Sequence, residues 1–155
     1  MQLNRFTDYG LRVLMYLQGM TGEADELVTI EQLAKRFDIP HNHLNKIVRR
    51  LVTLGWVASK PGRNGGVRLA SRTEPLLLGD VLRELEGHAS LVDCTHPPCP
   101  LQGACHLKRV LDVGRNDFYA NMNQYSLAEL VSPPTSNRIS QLHFHGRHAV
   151  SGQLS

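Results

Sequence analysis

The feature that most constrains the fold is a sharply punctuated pair of short segments between Thr29 and Gly55. Thr29-Ile30-Glu31-Gln32 matches a capping box, in which threonine and a glutamine three residues on satisfy each other's orphan backbone donors. It opens a helix through Phe37, and Asp38-Ile39 breaks that helix. Pro40 suits the first turn of a second helix, where a missing N–H removes no hydrogen bond. This helix runs to about Leu54, with Leu44, Ile47, Val48 and Leu51 on one inward stripe, and Gly55 ends it. Two short helices joined by a turn of three or four residues form a helix-turn-helix.

The flanking segments extend this pattern. Trp56–Lys60 and Val67–Ala70 read as two short strands around Pro61-Gly62-Arg63-Asn64-Gly65-Gly66, a loop rich in residues that accept positive φ. A hairpin placed there is a wing. Upstream, Phe6, Tyr9, Val13, Leu14 and Leu17 recur at helical spacing, so residues 5–20 read as an amphipathic helix capped by Asn4 or Thr7. A polar loop follows over 21–26. Downstream, Val81, Leu82 and Leu85 mark a short helix over 79–87. A long helix reads over 104–123, with Leu107, Val110, Leu111, Phe118 and Met122 on one stripe and Gly114 in line with them. That face is too apolar to stand alone and is assigned as a dimer contact. Ser126 caps a last turn, Leu127 to Val131. From 132 to 155 core formers are sparse, and a disordered tail is expected. The expected fold is mainly α with a small β-hairpin wing: one winged helix-turn-helix domain over 1–131, with the helix pair at 29–54 and the wing at 56–70.

With 155 residues, 41% apolar and 20% charged, the chain is long enough for one domain with a core. It has no run of about 18 uninterrupted apolar residues, and Met1 to Phe6 lacks the apolar stretch of a secretory signal. No membrane span is therefore expected, and a cytoplasmic location with reduced thiols is.

Charge distribution narrows the partner. Lys35, Arg36, Lys46, Arg49, Arg50, Lys60, Arg63 and Arg68 face Asp38 alone, a local charge of +7 on a chain of net +3. A solvated face would interleave acids; a concentrated basic segment marks an anionic partner, double-stranded DNA above all. In a helix-turn-helix the second helix enters the major groove with its first residues at base edges. Those residues are His41, Asn42, His43 and Asn45. Asparagine pairs bidentately with adenine. Lys46, Arg49 and Arg50 lie further along and suit phosphates. Arg63 at the wing tip suits a narrow minor groove. Asn64 beside it forms a good turn with Gly65 and joins the DNA-contacting set.

All three cysteines fall within twelve residues, as Cys94-x4-Cys99-x5-Cys105, in a loop over 92–105 that Pro97, Pro98 and Pro100 keep out of regular helix. Three thiols cannot close a set of disulfides. Clustered thiolates select zinc, Cu(I) or iron–sulfur groups. Structural zinc requires a fourth ligand, which His96 or His106 would have to provide. Three loosely buried cysteines are the plainer reading, against which the polar, proline-rich loop argues. An iron–sulfur cluster on three thiolates and one non-cysteine ligand fits best, and such incomplete ligation leaves one iron open to small molecules. Catalysis finds no support. Gly62–Gly66 lies between strands and not before a helix, no nucleophile motif appears, and Asp8 with Arg12 is an ordinary i, i+4 surface pair. His143, His145 and His148 could bind adventitious metal only.

The opening Phe6-Thr7-Asp8-Tyr9-Gly10-Leu11-Arg12, the helix pair, the wing Gly62–Leu69 and the cysteine loop together resemble the Rrf2 family of winged-helix regulators over residues 1–131. Within the family the chain is most similar to its nitric-oxide-sensing repressors. The resemblance implies a homodimer with one cluster per subunit, [4Fe–4S] or [2Fe–2S], on Cys94, Cys99 and Cys105. It also implies that Asp8 from the partner subunit supplies the fourth ligand. The repressor would bind a pseudo-palindromic operator and release it when the cluster is nitrosylated. The family's cluster-assembly regulators carry a histidine three residues after the last cysteine, where this chain has Lys108. The remaining alternatives are a zinc-stabilised DNA-binding regulator and, from another class, a small iron–sulfur electron carrier.

Overall fold

The computed structural model describes residues 2–20, 26–87 and 90–148. Helix α1 (Arg5–Gly19) starts where the Asn4 side chain accepts the Thr7 N–H at 2.8 Å, and it buries Val13, Leu14, Tyr16 and Leu17. Of the expected 21–26 loop, only Glu26 lies within the described residues. Helix α2 (Ile30–Phe37) opens on the expected capping box, with Thr29 and Gln32 exchanging hydrogen bonds of 2.9 and 3.1 Å. It stops because Asp38 turns left-handed at φ 52°, a conformation that Asp tolerates better than most residues. Ile39 then drops into the core. Helix α3 (His41–Thr53) follows Pro40 and buries the predicted stripe of Leu44, Ile47, Val48 and Leu51.

At Gly55, with φ +71°, the chain leaves α3 by a turn in which the Trp56 N–H donates to the Leu51 carbonyl at 3.0 Å. Strands β1 (Val57–Lys60) and β2 (Gly66–Leu69) pair antiparallel, Val57 opposite Leu69 and Lys60 opposite Gly66. The wing is fastened from its other edge as well. Val28 and Val67 exchange two backbone hydrogen bonds of 2.8 and 2.9 Å, so the residues just before α2 act as a third, minimal strand.

Helix α4 (Leu78–Glu86) buries Val81, Leu82 and Leu85 and crosses α5 (His106–Met122) at close range. A Cβ at Gly79 would stand 2.0 Å from the Tyr119 carbonyl oxygen, so only glycine permits the approach. Asn123 locks the crossing by accepting from the Asp80 N–H at 2.8 Å and donating to the Asp80 carboxylate at 2.9 Å. Helix α6 (Leu127–Leu130) carries a second capping box, Ser126 with Glu129. Among the described residues no helix is long and apolar enough to cross a membrane.

One expectation fails. Residues 132 onward were expected to form a disordered tail, yet Thr135–His148 form helix α7. Two side chains one turn apart anchor it. Ile139, 6% exposed, packs on Gly19 and Val131. His143, 3% exposed, lies with Nδ1 2.8 Å from the Tyr16 hydroxyl and Nε2 3.4 Å from Glu26. Burial at these two positions holds a helix that sparse composition did not reveal. Residues 149–155 of the expected tail lie outside the described residues.

Candidate nucleic-acid interface and cysteine loop

The structure brings the predicted reading residues onto one helix. His41, Asn42, Lys46, Arg49 and Arg50 are exposed, while His43 and Asn45 are half-buried. The stripe of Leu44, Ile47, Val48 and Leu51 fixes which side of α3 faces outward. His41 Nδ1 and Asn45 Nδ2 lie 3.2 Å apart, one turn from each other, so each limits the other's rotamers before any base arrives. His43 is held from behind by Tyr9 of α1, edge to face at 5.5 Å between ring centroids. Arg50 is not free: its Nη2 donates to Glu84 of α4 at 3.0 Å. Arg63 and Asn64 stand exposed at the wing tip, where a Cβ on Gly65 would strike the Lys60 carbonyl oxygen at 2.1 Å. The turn that presents Arg63 thus depends on that glycine.

The cysteine loop is a chain of small turns. The Cys99 N–H donates to the Cys94 carbonyl at 3.0 Å, and the Gln102 N–H donates to the Cys99 carbonyl at 3.0 Å. Asp93 Oδ1 accepts from the Thr95 N–H at 2.7 Å, the Thr95 hydroxyl at 2.6 Å and the His96 N–H at 3.2 Å. Donation from the Thr95 hydroxyl, then from the Thr95 and His96 N–H groups, holds the Asp93 carboxyl below its ordinary range. Cys94, Cys99 and Cys105 are free and half-buried. Cys105 is the N-cap of α5, and its side chain makes no capping hydrogen bond.

This donor set fits a sulfur-ligated group: three thiols without other partners among the described residues, one of them where unsatisfied helical N–H groups favour negative charge. Among the described residues no three His, Cys, Asp or Glu side chains gather closely enough to hold one ion. His96 is 88% exposed and turned towards Thr95 and Asp93, and His106 is exposed. Lys108 pairs with Asp112, one turn along α5. Its hydrogen bond to the Asp112 carboxylate keeps that acid's pKa low.

Helix α5 leaves Leu107 (62% exposed), Val110 (52%) and Val113 (54%) open, with empty space beside Gly114. Leu111, Phe118 and Met122 of the predicted stripe are half-buried. Asp8 sits on the exposed side of α1, in an open cleft of about 470 Å³ with Arg5, Tyr9, Arg12 and Phe37. Its carboxylate receives two bonds from Arg12, 3.0 Å from Nε and 2.8 Å from Nη2. The Arg12 guanidinium lies over the Tyr9 ring at 5.8 Å. Sequence reasoning missed three of these contacts: Tyr9 with His43, Glu84 with Arg50, and Tyr16 with His143. Each joins residues far apart in the chain, and no local pattern signals them.

A reading helix with a basic outer face, a hairpin wing and a close helix crossing behind them define a winged-helix DNA-binding regulator. Comparison with known proteins agrees and is more specific. The chain belongs to the Rrf2 family, described as iron-dependent transcriptional regulators, which it matches over residues 3–133. It is 39% identical over 136 residues to the HTH-type transcriptional repressor NsrR of Streptomyces coelicolor, covering 87% of this chain and 91% of that protein. Among solved structures it resembles CymR, the global cysteine regulator of B. subtilis, with a TM-score of 0.66 and 26% identity over 85% of this chain and 97% of that one. It shares its fold with T. potens IscR, at a TM-score of 0.64 and 21% identity over 84% and 86% of the two chains. The family match ends at residue 133, so α7 lies beyond it.

Proposed function

We propose that this chain is a nitric-oxide-responsive iron–sulfur repressor that binds double-stranded operator DNA as a homodimer in the cytoplasm. One observation carries the reading: a loop of three uncommitted thiols ends at Cys105, and Cys105 begins α5, the helix with an open apolar face. Cys94, Cys99 and Cys105 hold the cluster, [4Fe–4S] or [2Fe–2S], one per subunit. Asp8 of the partner subunit is the fourth ligand. When bound, the cluster supplies iron that reacts with nitric oxide. Leu107, Val110 and Val113 pack against a second copy, and Gly114 lets the two helices approach closely.

This chain's own side chains relate the two sites. Asp8 is either paired with Arg12, as in this structure, or drawn away from it. Arg12 lies over Tyr9, and Tyr9 meets His43 of the reading helix. Moving Asp8 therefore disturbs a contact that orients α3. Such a shift regulates only because the DNA-competent arrangement has the higher affinity for the bound group. The two reading helices of a symmetric dimer then match half-sites separated by whole turns, about 10 to 10.5 base pairs each. A cluster-assembly regulator is the second reading. The ion pair of Lys108 with Asp112 weighs against it, because lysine stands where that branch places a ligand histidine.

Anaerobic purification tests the proposal. The protein should be brown and contain acid-labile sulfide. Cys99→Ser should lose the colour and operator binding while remaining a folded dimer by sedimentation. Operator binding by Cys99→Ser at the strength of the parent would overturn the reading.

A further inference from the structure

The two ends of the reading helix are held by different neighbours. Near its start, His43 meets Tyr9 of α1. Near its end, Arg50 donates to Glu84 of α4 at 3.0 Å. The ion pairs of Arg12, Lys35 and Lys108 each stay within one helix, whereas that of Arg50 crosses between two. Helix α4 is in turn seated on α5 through Gly79 and through the two hydrogen bonds of Asp80 with Asn123. Asp80 and Glu84 lie one turn apart on α4. A continuous set of contacts thus runs from α5, which Cys105 caps, through α4 to the Arg50 guanidinium.

We infer that Glu84 is a positioning residue for DNA binding: it holds Arg50 so that the rest of the guanidinium meets an operator phosphate, and it ties that contact to the position of α5. Arginine presents five N–H donors in a rigid fork. Glu84 takes one amino group, and Nε and the other amino group have no partner among the described residues. The Arg50 side chain is 43% exposed. Ordering a long side chain before DNA arrives removes a cost otherwise met on binding. The Glu84 charge also repels phosphate. That repulsion acts within the roughly 8 Å over which salt screens only partly, and the salt series below weighs it against the ordering effect.

The inference rests on the cluster-governed reading above, and one experiment separates the two. Operator affinity is measured over a salt series for the cluster-loaded and cluster-free dimers of the parent, Glu84→Gln, Arg50→Ala and the double variant. Glu84→Gln keeps the size and removes the charge. It should weaken the loaded dimer about three- to tenfold and the cluster-free form by less, so the ratio between forms narrows. Arg50→Ala should weaken the loaded dimer and lower the salt slope by about 0.9, the value of one lost phosphate contact. The double variant should bind like Arg50→Ala alone. Tighter binding by Glu84→Gln, equal losses in both forms, or additive losses in the double variant would each overturn the positioning role. If the parent's two forms differ and Glu84→Gln leaves that difference intact, this inference alone fails. If the parent's two forms bind alike, it falls together with the reading it rests on.

Discussion

Arg63 stands exposed at the tip of a turn whose shape depends on Gly65, and it has no ion-pair partner among the described residues. An arginine presented in this way suits a narrow, electronegative minor groove, where A·T tracts gather positive charge. Arg63→Ala should therefore lower operator affinity and also flatten the preference for A·T at the positions under the wing. Affinity measured on operators with those positions randomised checks this. An equal loss on every sequence would reduce Arg63 to a phosphate contact. Asp8 is the opposite kind of residue. Its spacing from Arg12 made the pair legible from the sequence, and the structure confirms that pair at 2.8 Å. The pair alone does not identify a ligand. The proposed ligand role rests on family resemblance.

At the scale of elements, what was legible was what local chemistry decides. The capping box at Thr29, the stop at Asp38 and Pro40, and the glycine-rich turn of the wing each act within a few residues, so their elements appear where the pattern puts them. The strand-like pairing of Val28 with Val67 was not legible, because the partners are 39 positions apart and Val28 has no strand of its own. Helix α7 was illegible for a related reason. It begins after Pro134 and lacks a continuous apolar stripe, and its order comes from two anchors that dock on α1 and its neighbours. Ile139→Ala removes one anchor. The lost contacts and the cavity left beside Gly19 should cost about 2 kcal/mol or more, the lower end for such a core truncation. Urea unfolding checks this, and an unchanged midpoint would return residues 135–148 to the disordered tail first expected.

Across the whole molecule, the basic segment from Lys35 to Arg68 and the cysteine loop belong to different surfaces joined by shared helices. The local charge of +7 was visible in the sequence, and it falls on the helix pair and the wing. The content of the cysteine loop was not, because three thiols suit more than one soft metal group. The way the loop runs into α5, and α5 onto α4, relates that content to the reading helix, alongside the contacts from Asp8 through Arg12 and Tyr9 to His43. The account stands or falls on one comparison: operator affinity of the anaerobic, cluster-loaded dimer at a single fixed salt concentration, before and after treatment with nitric oxide. It should fall by about 5- to 150-fold, the usual range for coupled sites, as the visible absorption of the cluster changes. An operator affinity that stays constant through that spectral change would contradict the account.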